Sequence, residues 1–175
     1  TAVEPAPSVI TTCPTGSVWL AIVISRSTRV KHPIASTIRI PGAEKIPYVI
    51  AYHEIINAPE NGINYQGHRC DVIYDGAVSP DFYGWVFPHG KTVSVGMGTG
   101  VSGFDLKKAT ADLREASGLN ECETIRKEGA PIPLKPLKKW DNDHDVVLAG
   151  DAAGVVAPSS GEGIYYAMCS GRQAA

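Results

Sequence analysis

The chain has 175 residues, 43% of them hydrophobic and 19% charged, with a formal net charge of −2. That much apolar material over that length supports a folded core and argues against disorder, while the near balance of acids and bases leaves no basic excess for nucleic acid. Cys13, Cys70, Cys122 and Cys169 are too scattered to form a metal knuckle, so free thiols in a reducing compartment and no metal site are expected.

Residues 1–17 are rich in Pro, Thr and Ser and read as loop. They hold no charged segment leading into a long apolar one, so no signal peptide is expected. Val18–Ile24 is a short apolar run, fit for a buried strand and far too short to span a membrane. Arg26, Arg29, Lys31 and Arg39 follow without a period, as a solvated surface segment or an anion site.

Pro41-Gly42 marks a turn, and Ile46–Ile56 is β-leaning. Pro59-Glu60-Asn61-Gly62 is a second turn, Asp71–Tyr74 a short strand, and Asp75-Gly76 a third turn. In Phe82–Phe87 the alternation puts Tyr83, Trp85 and Phe87 on one face and Phe82, Gly84 and Val86 on the other. Pro88–Lys91 turns the chain into Thr92–Met97, predicting a hairpin in a mainly antiparallel sheet.

The clearest helix is predicted over 105–117. Leu106, Ala109, Leu113 and Ala116 share a face, Ser102 or Asp105 caps the start, and Gly118 ends it. Residues 129–140 contain Pro131, Pro133 and Pro136 and read as an extended connector. Val146–Ala149 is a buried-strand run ending in Gly150-Asp151. Ser159-x-x-Glu162 has the form of a capping box, so a helix is expected from about Gly161, with Ile164, Ala167, Met168, Gly171 and Ala175 on its apolar face.

These last thirty residues carry the chemistry. A strand delivers the Asp151 carboxylate at its end, and a glycine-flanked helix N-terminus follows, where free N–H groups favour negative charge. The pair suits a ligand with hydroxyls and an anionic or electron-rich group. A plain strand–turn–helix with glycines for packing fits the same spacing. His53-Glu54 is no zinc-protease motif, because Asn57 stands where a second His would be needed. Gly96-Met97-Gly98-Thr99-Gly100 has the wrong spacing for a dinucleotide loop and belongs to a hairpin strand.

Val147-Leu148-Ala149-Gly150-Asp151-Ala152-Ala153-Gly154 with Pro158-Ser159-Ser160-Gly161-Glu162-Gly163-Ile164 resembles the third FAD-binding motif of the flavoproteins that include the aromatic hydroxylases and geranylgeranyl reductases. Ser79-Pro80-Asp81-Phe82-Tyr83-Gly84-Trp85-Val86-Phe87-Pro88 resembles the signature of the geranylgeranyl reductases. Tyr52-His53-Glu54-Ile55-Ile56 and Ala157–Met168 are most similar to the bacteriochlorophyll-pathway branch.

The resemblance implies an α+β fold: an antiparallel substrate-binding sheet over 41–140, joined to part of an α/β, Rossmann-like FAD-binding domain of the aromatic-hydroxylase type. That domain would take 141–175, with a remnant of it in 1–40. It implies FAD and NADPH as cofactors. Gly150, Asp151, Pro158, Gly161, Glu162 and Gly163 would hold the flavin, with Asp151 on the ribityl chain. Tyr83, Trp85 and Phe87 would line an apolar cavity for an isoprenoid, with Tyr83 as a candidate proton donor. The expected activity is saturation of the double bonds of a geranylgeranyl chain, at a cytoplasmic site peripherally associated with a photosynthetic membrane. The family's opening Gly-x-Gly-x-x-Gly unit and its middle Asp-Gly motif have no counterpart here, so the chain is expected to be part of a longer polypeptide. A flavin monooxygenase of the same fold, or a non-catalytic remnant or assembly subunit, are the rival readings.

Overall fold

The computed structural model describes residues 9–11, 21–25, 46–60, 64–143 and 146–174, the first two stretches for their backbone only. The described strands are β1 (Val9–Thr11), β2 (Ala21–Ser25), β3 (Tyr48–Asn57), β4 (Asp71–Ile73), β5 (Gly84–His89), β6 (Thr92–Thr99), β7 (Thr124–Pro133) and β8 (Val146–Ala149). Two helices accompany them, α1 (Leu106–Ala116) and α2 (Ile164–Ala174). The chain divides into two compact units, Val49–Pro131 on one side and Thr1–Tyr48 with Ile132–Ala175 on the other. The sequence boundaries were 41 and 140.

The central unit is a sheet in the order β4-β5-β6-β3-β7. β5 and β6 form the expected hairpin, with His89 paired to Thr92 across Gly90 and Lys91. Gly90 has φ 68°, the positive value that a two-residue hairpin turn needs at its first position. Antiparallel pairing sets Tyr52 opposite Met97, Glu54 opposite Val95 and Ile56 opposite Val93, so these six share one face. Helix α1 covers that face, packing Ala109 and Leu113 against Ile56, Val86, Val93, Val95 and Met97. Each fully buried side chain of this size contributes about 1.5–3 kcal/mol.

Helix α1 starts where expected, with the Asp105 carboxylate accepting from the Lys108 N–H at 3.0 Å. Its buried face differs from the sequence reading: Thr110 and Arg114 are buried with Ala109 and Leu113, whereas Ala116 is exposed. Arg114 enters the interior because Glu54 waits there, Nη1 to Oε2 at 2.5 Å. Its guanidinium also donates to the carbonyls of Leu119 and Cys122. The fork geometry of arginine lets one side chain serve all of these acceptors.

Two expectations about loops are corrected. Residues 129–133 belong to strand β7. Its prolines are tolerated because β7 is an edge strand, where a missing N–H breaks no central ladder. Residues 9–11, read as loop, form β1 and pair with β2. Asn61 and Gly62, Pro41-Gly42 and the basic residues between 26 and 39 lie outside the described residues, as does Cys13. Cys70, Cys122 and Cys169 are free thiols.

The other unit is a three-stranded antiparallel sheet in the order β1-β2-β8. Leu137, Val146, Leu148 and Ala153 form its small core, with Trp140 packed against them. β8 ends in a 3-10 turn over Gly150–Ala153, closed by Gly154 at φ 73°. Helix α2 buries Ala167, Ser170 and Gly171, while Ile164 and Met168 are exposed. Among the described residues no helix is long and apolar enough to cross a membrane, and no cluster of metal-ligating side chains occurs.

Candidate functional site

Each unit holds one of the two predicted residue groups. The loop group sits in the unit of β8 and α2. Gly150 has φ 60° and is buried, and its N–H donates to Ser170 Oγ of α2 at 2.9 Å. That bond ties the end of β8 to the helix. One residue on, the Asp151 carboxylate packs against Gly163: a Cβ built on Gly163 would lie 2.6 Å from Asp151 Oδ1. Glycine at 163 is therefore a condition for the carboxylate to occupy its place. Burial, and then the charge of Glu162, raise the pKa of Asp151 above the ordinary carboxyl value.

Between these residues the chain forms a closed loop. The Ala157 N–H donates to the Glu162 carbonyl at 2.9 Å, and the Ala157 carbonyl accepts from Ser160 and Gly161. Gly161 has φ 66°, and Pro158 is exposed at the loop tip. The expected capping box is not formed. Glu162 Oε1 caps the helix directly by accepting from the Tyr165 N–H at 2.9 Å, so α2 begins at Ile164, not near Gly161. Glu162 thus occupies one of the N–H groups that were expected to face an anion.

The aromatic group lies on β5 of the central unit and the residue before it, Tyr83. Tyr83, Trp85 and Phe87 form a continuous row, with ring centroids 6.0 Å apart for the first pair and 6.2 Å for the second. Phe82 stacks on Tyr83 at 4.3 Å, and Tyr74 flanks it at 5.5 Å. Trp85 is paired with Gly96, on the face opposite the one that α1 covers. The glycines of β6 make room for this layer: a Cβ on Gly98 would meet the Phe82 ring at 2.9 Å. The Tyr83 hydroxyl has a raised pKa, through burial and then the neighbouring Tyr74.

Sequence reasoning missed what stands beneath the row. Trp85 Nε1 donates to Ser94 Oγ at 3.0 Å, Ser94 Oγ meets His53 Nδ1 at 2.9 Å, and His53 Nε2 meets Glu128 Oε2 at 2.9 Å. Only the position of Ser94 and His53 on alternating strands hinted at a shared face. Glu54, the neighbour of His53, points to the other face, where Tyr52, Arg114 and Lys127 surround it.

No family model matches the chain. It is 69% identical over 133 residues to a geranylgeranyl diphosphate reductase from Rhodobacter capsulatus, a match covering 76% of this chain and 34% of that protein. A chloroplastic geranylgeranyl diphosphate reductase from rice, Oryza sativa subsp. japonica, is 43% identical over 136 residues, covering 77% of this chain and 29% of its own length. Among solved structures, a geranylgeranyl bacteriochlorophyll reductase-like protein from Thermoplasma acidophilum superposes with a TM-score of 0.61 at 25% identity, covering 74% of this chain and 33% of that one. The match thus spans about a third of the length of each of these relatives.

Proposed function

This chain is homologous to the geranylgeranyl reductases, and we propose that the protein containing it is an FAD-dependent reductase that saturates the double bonds of a geranylgeranyl chain, using NADPH. The chain would be carried by a bacteriochlorophyll-type pigment or by the free diphosphate. The observation that carries this reading is the aromatic row of Tyr83, Trp85 and Phe87 on the sheet face away from α1. A row of rings is an apolar surface suited to a long hydrocarbon.

The loop group suits a flavin nucleotide by its chemistry. The carboxylate of Asp151 is an acceptor for ribityl hydroxyls, Gly150 and Gly163 let the strand end and the helix start close around it, and Gly161 puts no side chain on the loop. Pro158 shapes the tip of the loop, and Glu162 holds the start of α2 in place. We read this unit as part of an α/β FAD-binding domain of the aromatic-hydroxylase type. FAD held there would supply hydride-transfer chemistry, with NADPH as the proposed electron source.

The protein's own residues then have three tasks. The aromatic row binds and aligns the isoprenoid. The surrounding apolar side chains exclude water from the reacting bond. A proton must reach the second alkene carbon, and Tyr83 is the candidate to deliver it. Its raised pKa keeps the hydroxyl protonated at working pH. A mostly hydrocarbon substrate supports the proposal that the enzyme is peripherally associated with a photosynthetic membrane, which we propose it meets from the cytoplasm.

The test is incubation of the full-length protein with NADPH and a geranylgeranyl pigment. Product masses should rise in steps of two hydrogens. Hydroxylated product, or NADPH oxidation that depends strictly on oxygen, would replace this reading with a monooxygenase. A full-length protein that purifies colourless and refuses added FAD would remove the flavin from it.

A further inference from the structure

Beneath the aromatic row runs a chain of four side chains: Trp85, Ser94, His53 and Glu128. It joins strands that are far apart in sequence, and Ser94 and Glu128 are only 5% and 6% exposed. Buried polar groups on a sheet face are costly unless every partner is in place. One set of donor and acceptor directions runs through the whole chain. The indole N–H of Trp85 can only donate, and an ionised Glu128 can only accept. A neutral His53 with its hydrogen on Nε2 satisfies both ends: it donates to Glu128 and accepts the Ser94 hydroxyl at Nδ1. Ser94 Oγ is then free to accept from the indole.

The geometry around this chain is built for it. Gly96 is paired both with His53 and with Trp85. A Cβ at position 96 would lie 2.4 Å from both His53 Cβ and the Tyr52 carbonyl oxygen, so glycine lets the two strands approach closely at the point where His53 and Trp85 flank it. The two rings are tilted at 53° with centroids 6.3 Å apart. Arg126 Nε lies 2.8 Å from the other Glu128 oxygen, a charge pair at the rim that lacks the geometry of a hydrogen bond. Of the three rings in the row, Trp85 is the one bound to this network.

We propose that His53 is a positioning residue for isoprenoid binding: with Glu128 and Ser94 it fixes the orientation of the Trp85 indole, and so the surface on which the substrate chain lies. The proposal rests on the reductase reading above. His53 does not touch the reacting bond in this account. It acts through Ser94 on Trp85.

The test uses the full-length, FAD-loaded enzyme, two variants at His53, and Trp85→Phe alone and combined with His53→Leu. His53→Gln keeps an acceptor and a donor side by side, as the imidazole does, and His53→Leu keeps neither. In protein labelled with 15N-tryptophan, the Trp85 Nε1–H resonance is identified by its loss in Trp85→Phe. It should shift and exchange faster with solvent in His53→Leu, and stay near its wild-type position in His53→Gln. With geranylgeranyl diphosphate as substrate, His53→Leu should raise KM about tenfold with kcat changed less than about threefold, and His53→Gln should recover most of that loss. Adding Trp85→Phe to His53→Leu should raise KM little further, because both act on one contact. An unmoved indole resonance in an active His53→Leu enzyme would overturn the proposal and leave the reductase reading standing. So would a KM defect that His53→Gln fails to relieve. Failure of the wild-type holoenzyme to reduce any geranylgeranyl substrate would instead overturn the reductase reading, and this proposal with it.

Discussion

Asp151 and Gly163 are in direct contact: the carboxylate oxygen Oδ1 lies where a Cβ on Gly163 would approach to 2.6 Å. The end of one strand and the start of one helix are thereby made interdependent. A side chain at 163 cannot be added without moving the Asp151 carboxylate.

Gly163→Ala should therefore displace the Asp151 carboxylate and weaken FAD binding at least about tenfold in the full-length protein. The fraction of flavin retained on purification, read from the absorbance spectrum, is the measurement. Full retention would detach the contact from cofactor binding.

The raised pKa of Asp151 also predicts a pH dependence of stability. Its causes are burial first and Glu162 second, and the ordinary carboxyl value is 3.8. An acid whose native pKa is raised favours folding in its protonated form. That contribution is complete below 3.8 and is lost as pH climbs through the higher native value. In urea unfolding, the stability difference between wild type and Asp151→Asn should thus change across this acid window and be flat above it. Glu162→Gln should move the upper edge of the window downward.

Arg114 carries the central unit's most demanding interaction. It pairs with buried Glu54 at 2.5 Å and donates to carbonyls that follow α1. Burial raises the pKa of Glu54, but hydrogen bonds from Tyr52, Arg114 and Lys127 outweigh it and leave the net value below the ordinary one. Arg114→Ala leaves a buried carboxylate without its main partner, which costs about 3–5 kcal/mol. Chemical denaturation checks this. A loss below about 1 kcal/mol would show that water replaces the guanidinium.

Tyr83 separates two roles that the row could hide. If its hydroxyl delivers the proton, Tyr83→Phe should lower kcat about 100-fold with KM nearly unchanged, since the ring remains. A fall of less than about threefold would leave Tyr83 as a wall of the binding surface, with the proton coming from elsewhere.

Much of this was legible in the residues. The alternation over Phe82–Phe87 placed Tyr83, Trp85 and Phe87 on one face before any coordinates, because successive strand side chains must point to opposite sides. Asp105 and Gly118 marked the ends of α1 through capping and left-handed backbone, both local effects. Local rules misjudged the prolines of β7, since their tolerance depends on a strand's place at the sheet edge. They also misjudged Glu162, whose carboxylate reached forward to Tyr165 and not back to Ser159.

The residues alone determined the faces of the Phe82–Phe87 strand, the hairpin turn, the ends of α1 and the presence of an acid beside a glycine-flanked helix start. Each of these is set by neighbours a few positions away. Only the tertiary structure decided that Trp85, Ser94, His53 and Glu128 meet, and that Arg114 is spent on Glu54. Those contacts depend on which strands pair and in what register, and a one-residue slip of a strand would turn its side chain in these contacts to the other face.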